Sequence, residues 1–210
     1  MPESEFAITV KTLSGLETVL AGELAALGAS AIEPGNRVVA CRGGRDLLYR
    51  ANLWLRTATR VLVPVARFNT RTEKSLYRLV REIPWETHLG VDDTLAVDSV
   101  VSSPHFHHSG WVALKVKDAV VDRFRDIAGR RPSVDTAAPT LRINVHIADR
   151  DCVVSLDSSG RALGRRGYRL ERTEAPLSEN LAAGMILLTG WRGEVPVSYT
   201  HLTLPTKRIV

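Results

Sequence analysis

The sequence predicts an α+β fold arranged as two small units. Between residues 6 and 68, extended apolar runs alternate with helical patterns, which is typical of a small sheet covered by helices on one face. Residues 69–160 continue with a helix, a strand, a long helix and a hairpin. A chain of 210 residues is long enough for two units that each have a core.

The first unit begins with an apolar run at residues 6–10 that predicts a strand. Residues 14–17, Ser-Gly-Leu-Glu, fit a capping box, so we expect a helix to start there and to end at Gly28. A second helix is expected from Arg45, with Trp54 in its buried stripe. The next apolar extended run should close this unit near residue 68.

The second unit depends on the long helix predicted within residues 111–135. Apolar side chains recur there at helical spacing, so one face should pack: Val112, Val116, Ala119, Val120, Phe124 and Ile127. Ser109 is the expected N-cap, and Gly129 is the expected end. Arg130 and Arg131 follow, at the negative pole of the helix dipole, where two cations are tolerated and remain free to bind an anion.

Apolar and polar residues alternate over Leu141–Ala148, which predicts a strand. Arg142 lies on the polar face of this strand. Residues 149–151 can turn the chain back into a second strand, which completes a hairpin. Trp85 follows a proline that ends the preceding short helix, and we expect its ring to fill a core.

Composition excludes several classes of protein. Apolar residues make up 44% of the chain, and no apolar run approaches the roughly 20 residues of a membrane span. Residues 1–5 are polar and acidic and lack the basic and apolar order of a secretory signal, so a cytoplasmic location is expected. The net charge of +5 and the pI of about 9.6 favour polyanionic partners.

Cysteines and histidines give no strong sign of a metal site. Cys41 and Cys152 form no CxxC pair, so we interpret them as small buried hydrophobic side chains. His105, His107 and His108 have no carboxylate or thiol at ligand spacing. A loop that faces solvent or RNA is the preferred interpretation of that cluster.

Arginines concentrate in a stretch that follows the hairpin. Five fall within twelve residues that contain one acid: Arg161, Arg165, Arg166, Arg169 and Arg172. Solvated surface charge is one interpretation. The other is a flexible basic strap that lies on phosphates, with Tyr168 available to stack on a base.

A last helix is predicted from Pro176 to about Thr189. Its apolar stripe consists of Leu177, Leu181, Met185 and Leu188. About twenty residues follow, which are too few to cover this stripe. The apolar stripe of this helix therefore indicates a further domain against which it packs.

Several motifs in one order carry a family resemblance. They are Lys-Val-Lys-Asp-Ala-Val-Val-Asp (115–122), Arg-Pro-Ser-Val-Asp (131–135), Leu-Asp-Ser-Ser-Gly (156–160), Arg-Gly-Tyr-Arg (166–169), Ala-Pro-Leu (175–177) and Glu-Asn-Leu-Ala-Ala (179–183). Together they resemble the THUMP-containing ribosomal RNA methyltransferases, especially the bacterial large-subunit guanine-N2 enzymes. The resemblance implies an N-terminal ferredoxin-like domain, a THUMP domain that grips RNA, and a Rossmann-like domain that uses S-adenosylmethionine to methylate guanine N2.

On this resemblance, residues 1–68 form the ferredoxin-like domain and 69–160 the THUMP domain. Residues 161–197 are then a basic linker and the first helix of the methyltransferase domain. Residues 198–210 depart from the family, lack its Gly-rich cofactor loop, and look like a translated adapter or vector tail, so we expect a non-native tail. No catalytic residue, cofactor-binding residue or metal ligand is assigned, and the chain itself is expected not to catalyse methyl transfer.

The resemblance also implies an RNA-binding surface on the THUMP unit. The expected partner is structured RNA, namely 23S rRNA. The predicted contacts are Lys115, Lys117, Arg130, Arg131, Arg142, Arg165, Arg166, Tyr168 and Arg169. Two other classes stay open: a stand-alone THUMP binding module, and the front half of another THUMP enzyme that modifies tRNA or rRNA. The Ala-Pro-Leu helix entry favours the methyltransferase.

Overall fold

A single mixed sheet runs through both units of the molecule. The structure is a computed structural model, and it describes residues 5–167, 176–191 and 193. The strands are β1 (Phe6–Thr12), β2 (Ser30–Gly35), β3 (Val38–Gly43), β4 (Ala58–Asn69), β5 (Thr94–Ser102), β6 (Ser133–Val134), β7 (Leu141–Ala148) and β8 (Asp151–Asp157). The helices are α1 (Glu17–Ala26), α2 (Arg45–Trp54), α3 (Glu73–Glu82), α4 (Ser109–Ala128) and α5 (Glu179–Leu188), with a short 3-10 turn at Trp85–Thr87.

The strand order is β2-β3-β1-β4-β8-β7-β5-β6. Neighbours pair antiparallel from β2 to β7, and β5 pairs in parallel with both β7 and β6. The twelve-residue strand β4 joins the units, because it pairs with β1 in the first and with β8 in the second. Its pairing with β8 is irregular between Pro64 and Ala66, as expected where proline lacks the N–H that a ladder needs.

Both hydrophobic cores lie on the same face of this sheet. Val61 belongs to the first core, under α1 and α2. Val63, two residues further along β4, lies on the same face and pairs with Leu156, which packs against the second core under α3 and α4. The opposite face of β7 and β8 carries no helix among the described residues.

Several sequence predictions are confirmed. β7 has the predicted bounds, and Asp149 turns the hairpin with φ +51°. α4 ends at Gly129 in the left-handed conformation, φ +65°. Trp85 is fully buried and donates its indole N–H to the Val80 carbonyl over 2.8 Å.

Other predictions were wrong in detail. Ser109 is the first residue of α4 rather than its N-cap, which is His108 and makes no side-chain cap. The capping box at the start of α1 is also absent, since Leu16 is the N-cap and the Glu17 carboxylate accepts instead from the N–H of Gly15 and of Arg37, each over 2.8 Å.

Two apolar side chains assigned to buried stripes lie at the surface. Trp54 is 65% exposed and Ile127 is 59% exposed. Each occurs at the end of its helix: Trp54 is the last residue of α2, and Ile127 is the second to last of α4.

The strap after β8 is anchored over the part that the structure describes. Leu163 is buried in the first core and donates its N–H to the Thr59 carbonyl over 3.0 Å. Ser159 accepts the Val61 N–H through its hydroxyl over 2.7 Å. Residues 158–166 therefore run back from the second unit and pack on the first.

Helix α5 docks on the first unit through its polar and small residues. Asn180 donates to the carbonyls of Arg56 and Ala58 over 2.9 and 2.7 Å. A Cβ on Gly184 would lie 2.5 Å from a Leu16 methyl carbon, so a larger residue would require the Leu16 side chain to move. Pro176 precedes the helix, whose N-cap is Ser178.

Candidate nucleic-acid interface

Two of the predicted RNA contacts lie on α4 and point in different directions. The Lys115 ammonium lies 5.3 Å from the centre of the Trp111 ring and 6.0 Å from that of Tyr77. These cation–π contacts hold Lys115 against α3 while leaving its charge unneutralised. Lys117 instead pairs with its neighbour Asp118 over 2.7 Å. The two lysines therefore do not form one surface, as their spacing indicates.

The arginines that follow α4 differ in their pairing. Arg130 forms an ion pair with Asp92 over 2.5 Å. Arg131 is exposed and forms no ion pair with any residue that the structure describes. Only Arg131 of this pair keeps its charge without a carboxylate neighbour.

Arg142 lies on the open face of the sheet and is held in place by two acceptors. Its guanidinium donates to the Asp98 carboxylate over 3.1 Å and to the Thr136 carbonyl over 2.9 Å. The side chain is 14% exposed. This arginine braces β7 against β5 and the loop before β7, and it offers little surface to a ligand.

The same face continues as a polar network across the junction of the two units. Lys11 of β1 donates to the Asn144 side-chain oxygen over 3.0 Å, and Arg60 pairs with the buried carboxylate of Asp157. Burial, and then the nearby Arg60 charge, lower the pKa of Lys11. These contacts make the network part of the structure that joins the units.

The strap places its arginines in unlike surroundings. Arg166 donates to the carbonyls of Leu53 and Leu55, each over 2.8 Å, and so satisfies acceptors at the end of α2. Arg165 is exposed and forms no ion pair among the described residues. Arg166 is more than 110 residues away in sequence from Leu53 and Leu55, so local patterns could not predict these hydrogen bonds.

The remaining two predicted contacts, Tyr168 and Arg169, lie outside the described residues. Among the others, Arg131 and Arg165 combine exposure with the lack of a described carboxylate partner. These two lie on different units and do not form one patch by themselves.

Sequence reasoning missed a group of cations at the start of α3. Arg71 and Lys74 are exposed there, beside Arg150 in the turn between β7 and β8. The Thr70 N–H donates to the Arg150 carbonyl over 2.8 Å, which fixes the two segments together. The only sequence signals were a basic residue in a predicted turn and two at a helix start, and no local pattern links positions so far apart.

Metal-ligating and nucleophilic residues form no cluster in the described part of the chain. No group of three or more His, Cys, Asp or Glu is placed to hold a metal ion there. Cys41 and Cys152 are buried, and burial raises their thiol pKa values to about 11 and about 12. None of the described helices is both long and apolar enough to cross a bilayer.

Two family models match the chain in the order of its two units. The RlmL ferredoxin-like domain matches residues 7–62, and the THUMP domain matches residues 70–157. β4 spans the gap between these two matches.

A curated relative agrees with these matches. The ribosomal RNA large subunit methyltransferase K/L of Syntrophotalea carbinolica is 46% identical over 177 residues, which cover 84% of this chain and 25% of that protein. The chain therefore spans about a quarter of the length of that relative.

Two solved structures share the fold. A Listeria monocytogenes protein described as a predicted N6-adenine-specific DNA methylase has a TM-score of 0.77 and 32% identity, over 90% of this chain and 49% of its own. SMU.472, solved as a complex with SAH, has a TM-score of 0.78 and 30% identity, over 92% of this chain and 51% of its own.

Proposed function

This chain joins an RlmL ferredoxin-like domain to a THUMP domain, and we propose that it is the RNA-binding part of a ribosomal RNA methyltransferase. The observation that carries the proposal is the THUMP match over residues 70–157. Cations on that unit without a described carboxylate partner support it, because such groups neutralise phosphates and thereby release the counterions condensed on the nucleic acid.

For the intact protein we propose S-adenosylmethionine as the methyl donor and guanine N2 of 23S rRNA as the acceptor. The name of the Syntrophotalea relative and the SAH bound to SMU.472 support the reaction class. This chain contributes RNA binding and no methyl transfer, since its sequence contains neither the Gly-rich cofactor turn nor the motif that holds the target amine.

The exposed side of α5 supports the assignment of this helix to the start of a methyltransferase domain. Leu181, Met185 and Leu188 are 36%, 53% and 62% exposed, while Asn180 and Gly184 are buried against the first unit. A helix with one docked face and one open apolar face lies between two bodies. We propose that the methyltransferase domain of the intact protein covers the open face.

Filter binding tests the proposal directly. The purified chain should retain fragments of 23S rRNA at low ionic strength, and retention should fall steeply as salt is added. DNA duplexes of the same sequence serve as the control, since the name of the Listeria protein raises DNA as the other substrate. Equal or tighter retention of DNA would contradict an RNA-binding role.

A second assay tests the lack of catalysis. The chain is incubated with labelled S-adenosylmethionine and 23S rRNA, and the expected incorporation of label equals that of a reaction without protein. Methyl transfer above this background would contradict the proposal that this chain binds RNA without catalysing methylation.

The two alternative functions are separated by the sequence of the intact gene. A Gly-rich loop after a strand supports the methyltransferase. A pyrophosphatase-type loop or a set of zinc ligands would indicate another modifying enzyme, and an ordered natural end soon after α5 would indicate a stand-alone module.

A further inference from the structure

Helices α3 and α4 run parallel, so the structure gives the THUMP unit two distinct ends. Tyr77 and Arg81 of α3 contact Asp122 and Asp126 of α4, in the same chain direction. The turn between β7 and β8 lies at the end where α3 begins, because Arg150 accepts the N–H of the residue that follows β4.

We call the end where α3 begins the cationic end, and define it by Arg71, Lys74, Lys115 and Arg150. Arg71 and Lys74 are exposed and form no ion pair with a described residue. Lys115 contacts aromatic rings, which leave its charge in place. Arg150 lies 3.2 Å from the carboxylate of its neighbour Asp149, so it is the one cation of the four with an acid beside it.

A cleft of about 550 Å³ separates Arg71 from Arg150. Polar groups line it: the exposed Asn69 amide, the hydroxyls of Thr70 and Ser75, and the carboxylates of Asp149 and Asp151, which pair with Arg150 and Arg67. The cleft therefore has a cation on each side and hydrogen-bonding groups between them. This arrangement suits a backbone of phosphates and ribose hydroxyls better than an apolar ligand.

The charge at this end comes from side chains and not from the helix start. Thr72 caps α3 by accepting the Ser75 N–H over 3.2 Å, and the Ser75 hydroxyl completes the capping box. The N–H groups of Thr72 and Ser75 thus have partners within the chain, and the basic side chains are the groups that we assign to a ligand.

The opposite end has many arginines, but each of them has a carboxylate partner. We call it the paired end, and define it by Arg78, Arg81, Arg123, Arg125 and Arg130. Their partners are Glu82, Asp126, Glu86, Asp122 and Asp92. A phosphate that approached this end would have to displace these acids or lie beside them.

We infer that the cationic end is the surface on which the RNA backbone lies, and that Arg71, Lys74 and Arg150 make the principal phosphate contacts. This inference rests on the proposed RNA-binding function and specifies where the RNA binds. It differs from the sequence prediction, which included Lys115 but not Arg71, Lys74 or Arg150 among the RNA contacts.

The test compares two variants of the full chain that lose the same charge. Arg71→Gln, Lys74→Gln and Arg150→Gln together remove three cations from the cationic end. The control removes three exposed arginines from the paired end: Arg78→Gln, Arg125→Gln and Arg130→Gln. All six residues are at the surface, so both variants should fold, which circular dichroism and thermal melting check.

The variant of the cationic end should lose at least about tenfold in affinity for a 23S rRNA fragment at low salt. The slope of log affinity against log salt should also fall by about 2, as expected for three lost phosphate contacts. The control should change less than about twofold. The reverse result, or equal losses, would overturn the inference while leaving the proposed function in place.

A measurement on the unmodified chain gives an independent answer. RNA should protect Lys74 from acetylation more than Lys117, which pairs with Asp118 on α4. Equal protection of the two lysines counts against the cationic end. If the unmodified chain does not bind RNA at all, the proposed function is wrong and the inference falls with it.

Discussion

The two ends of the α3–α4 helix pair contain similar numbers of basic side chains but differ in what those side chains contact. At the paired end Arg123 bonds to Glu86 over 2.6 Å and to the Arg81 carbonyl over 3.0 Å. At the cationic end Arg71 and Lys74 have no such partner among the described residues. The number of arginines in a sequence segment thus says less about the unpaired charge of a surface than the number of carboxylates that fold beside them.

The largest expected difference between the ends concerns stability. Trp85 lies at the paired end and is fully buried, so Trp85→Ala should lower the free energy of unfolding by about 4 kcal/mol. Urea unfolding measures this loss. Arg71→Ala at the cationic end is the comparison and should leave the unfolding midpoint unchanged, whereas a similar loss there would show that the cationic end is also structural.

A smaller effect is expected at the cap of α3. Thr72→Ala removes the acceptor for the Ser75 N–H and should cost about 1 kcal/mol of unfolding free energy. RNA affinity should stay the same, because the capped amides do not contact the ligand in our proposal. Thr72→Ser keeps the hydroxyl and serves as the control, and a marked change in RNA binding by Thr72→Ala would mean that the helix start takes part in recognition.

The smallest effect is the acid dependence of the paired end. Hydrogen bonds from Arg123 lower the pKa of Glu86 to about 2, from an ordinary value of 4.5. The pair therefore stabilises the fold above about pH 4.5, and this contribution is lost as the pH falls toward 2. Glu86→Gln should show a slightly smaller loss of stability than the unmodified chain between pH 5 and pH 3 in urea titrations. Identical acid profiles would indicate that this exposed pair contributes nothing.

Local patterns predicted the elements but not the contacts between them. The alternation of β7 and the glycine that ends α4 each reflect a rule that operates within a few residues, and both predictions agree with the structure. The predicted N-cap of α4 was wrong by one residue. Composition favours Ser109, but the path of the chain between β5 and α4, which local patterns do not show, decides where the helix begins. The prediction for Trp54 was wrong because helical spacing does not show which side chain at the end of α2 reaches the core, and it is the next residue, Leu55, that is buried.

The candidate surface was harder to predict than the fold. Arg130 was chosen for its position at a helix end, but its partner Asp92 lies in a loop that only the folded chain brings near. Arg71 and Arg150 line the same cleft because the end of β4 meets the β7–β8 turn, which requires the full strand order. Arg166 was predicted to meet phosphates, and the structure shows it bonded to carbonyls at the end of α2.

Strand β4 has a mechanical consequence, because its twelve residues belong to both units without a break. A hinge needs a segment whose dihedral angles can change freely, but β4 pairs with β1 up to Leu62 and with β8 from Leu62 onward, which leaves no unpaired segment between the units. The two units should consequently rotate together as one rigid lever and melt in a single cooperative transition. RNA bound to the second unit would then stay at a constant distance from α5, which packs on the first unit.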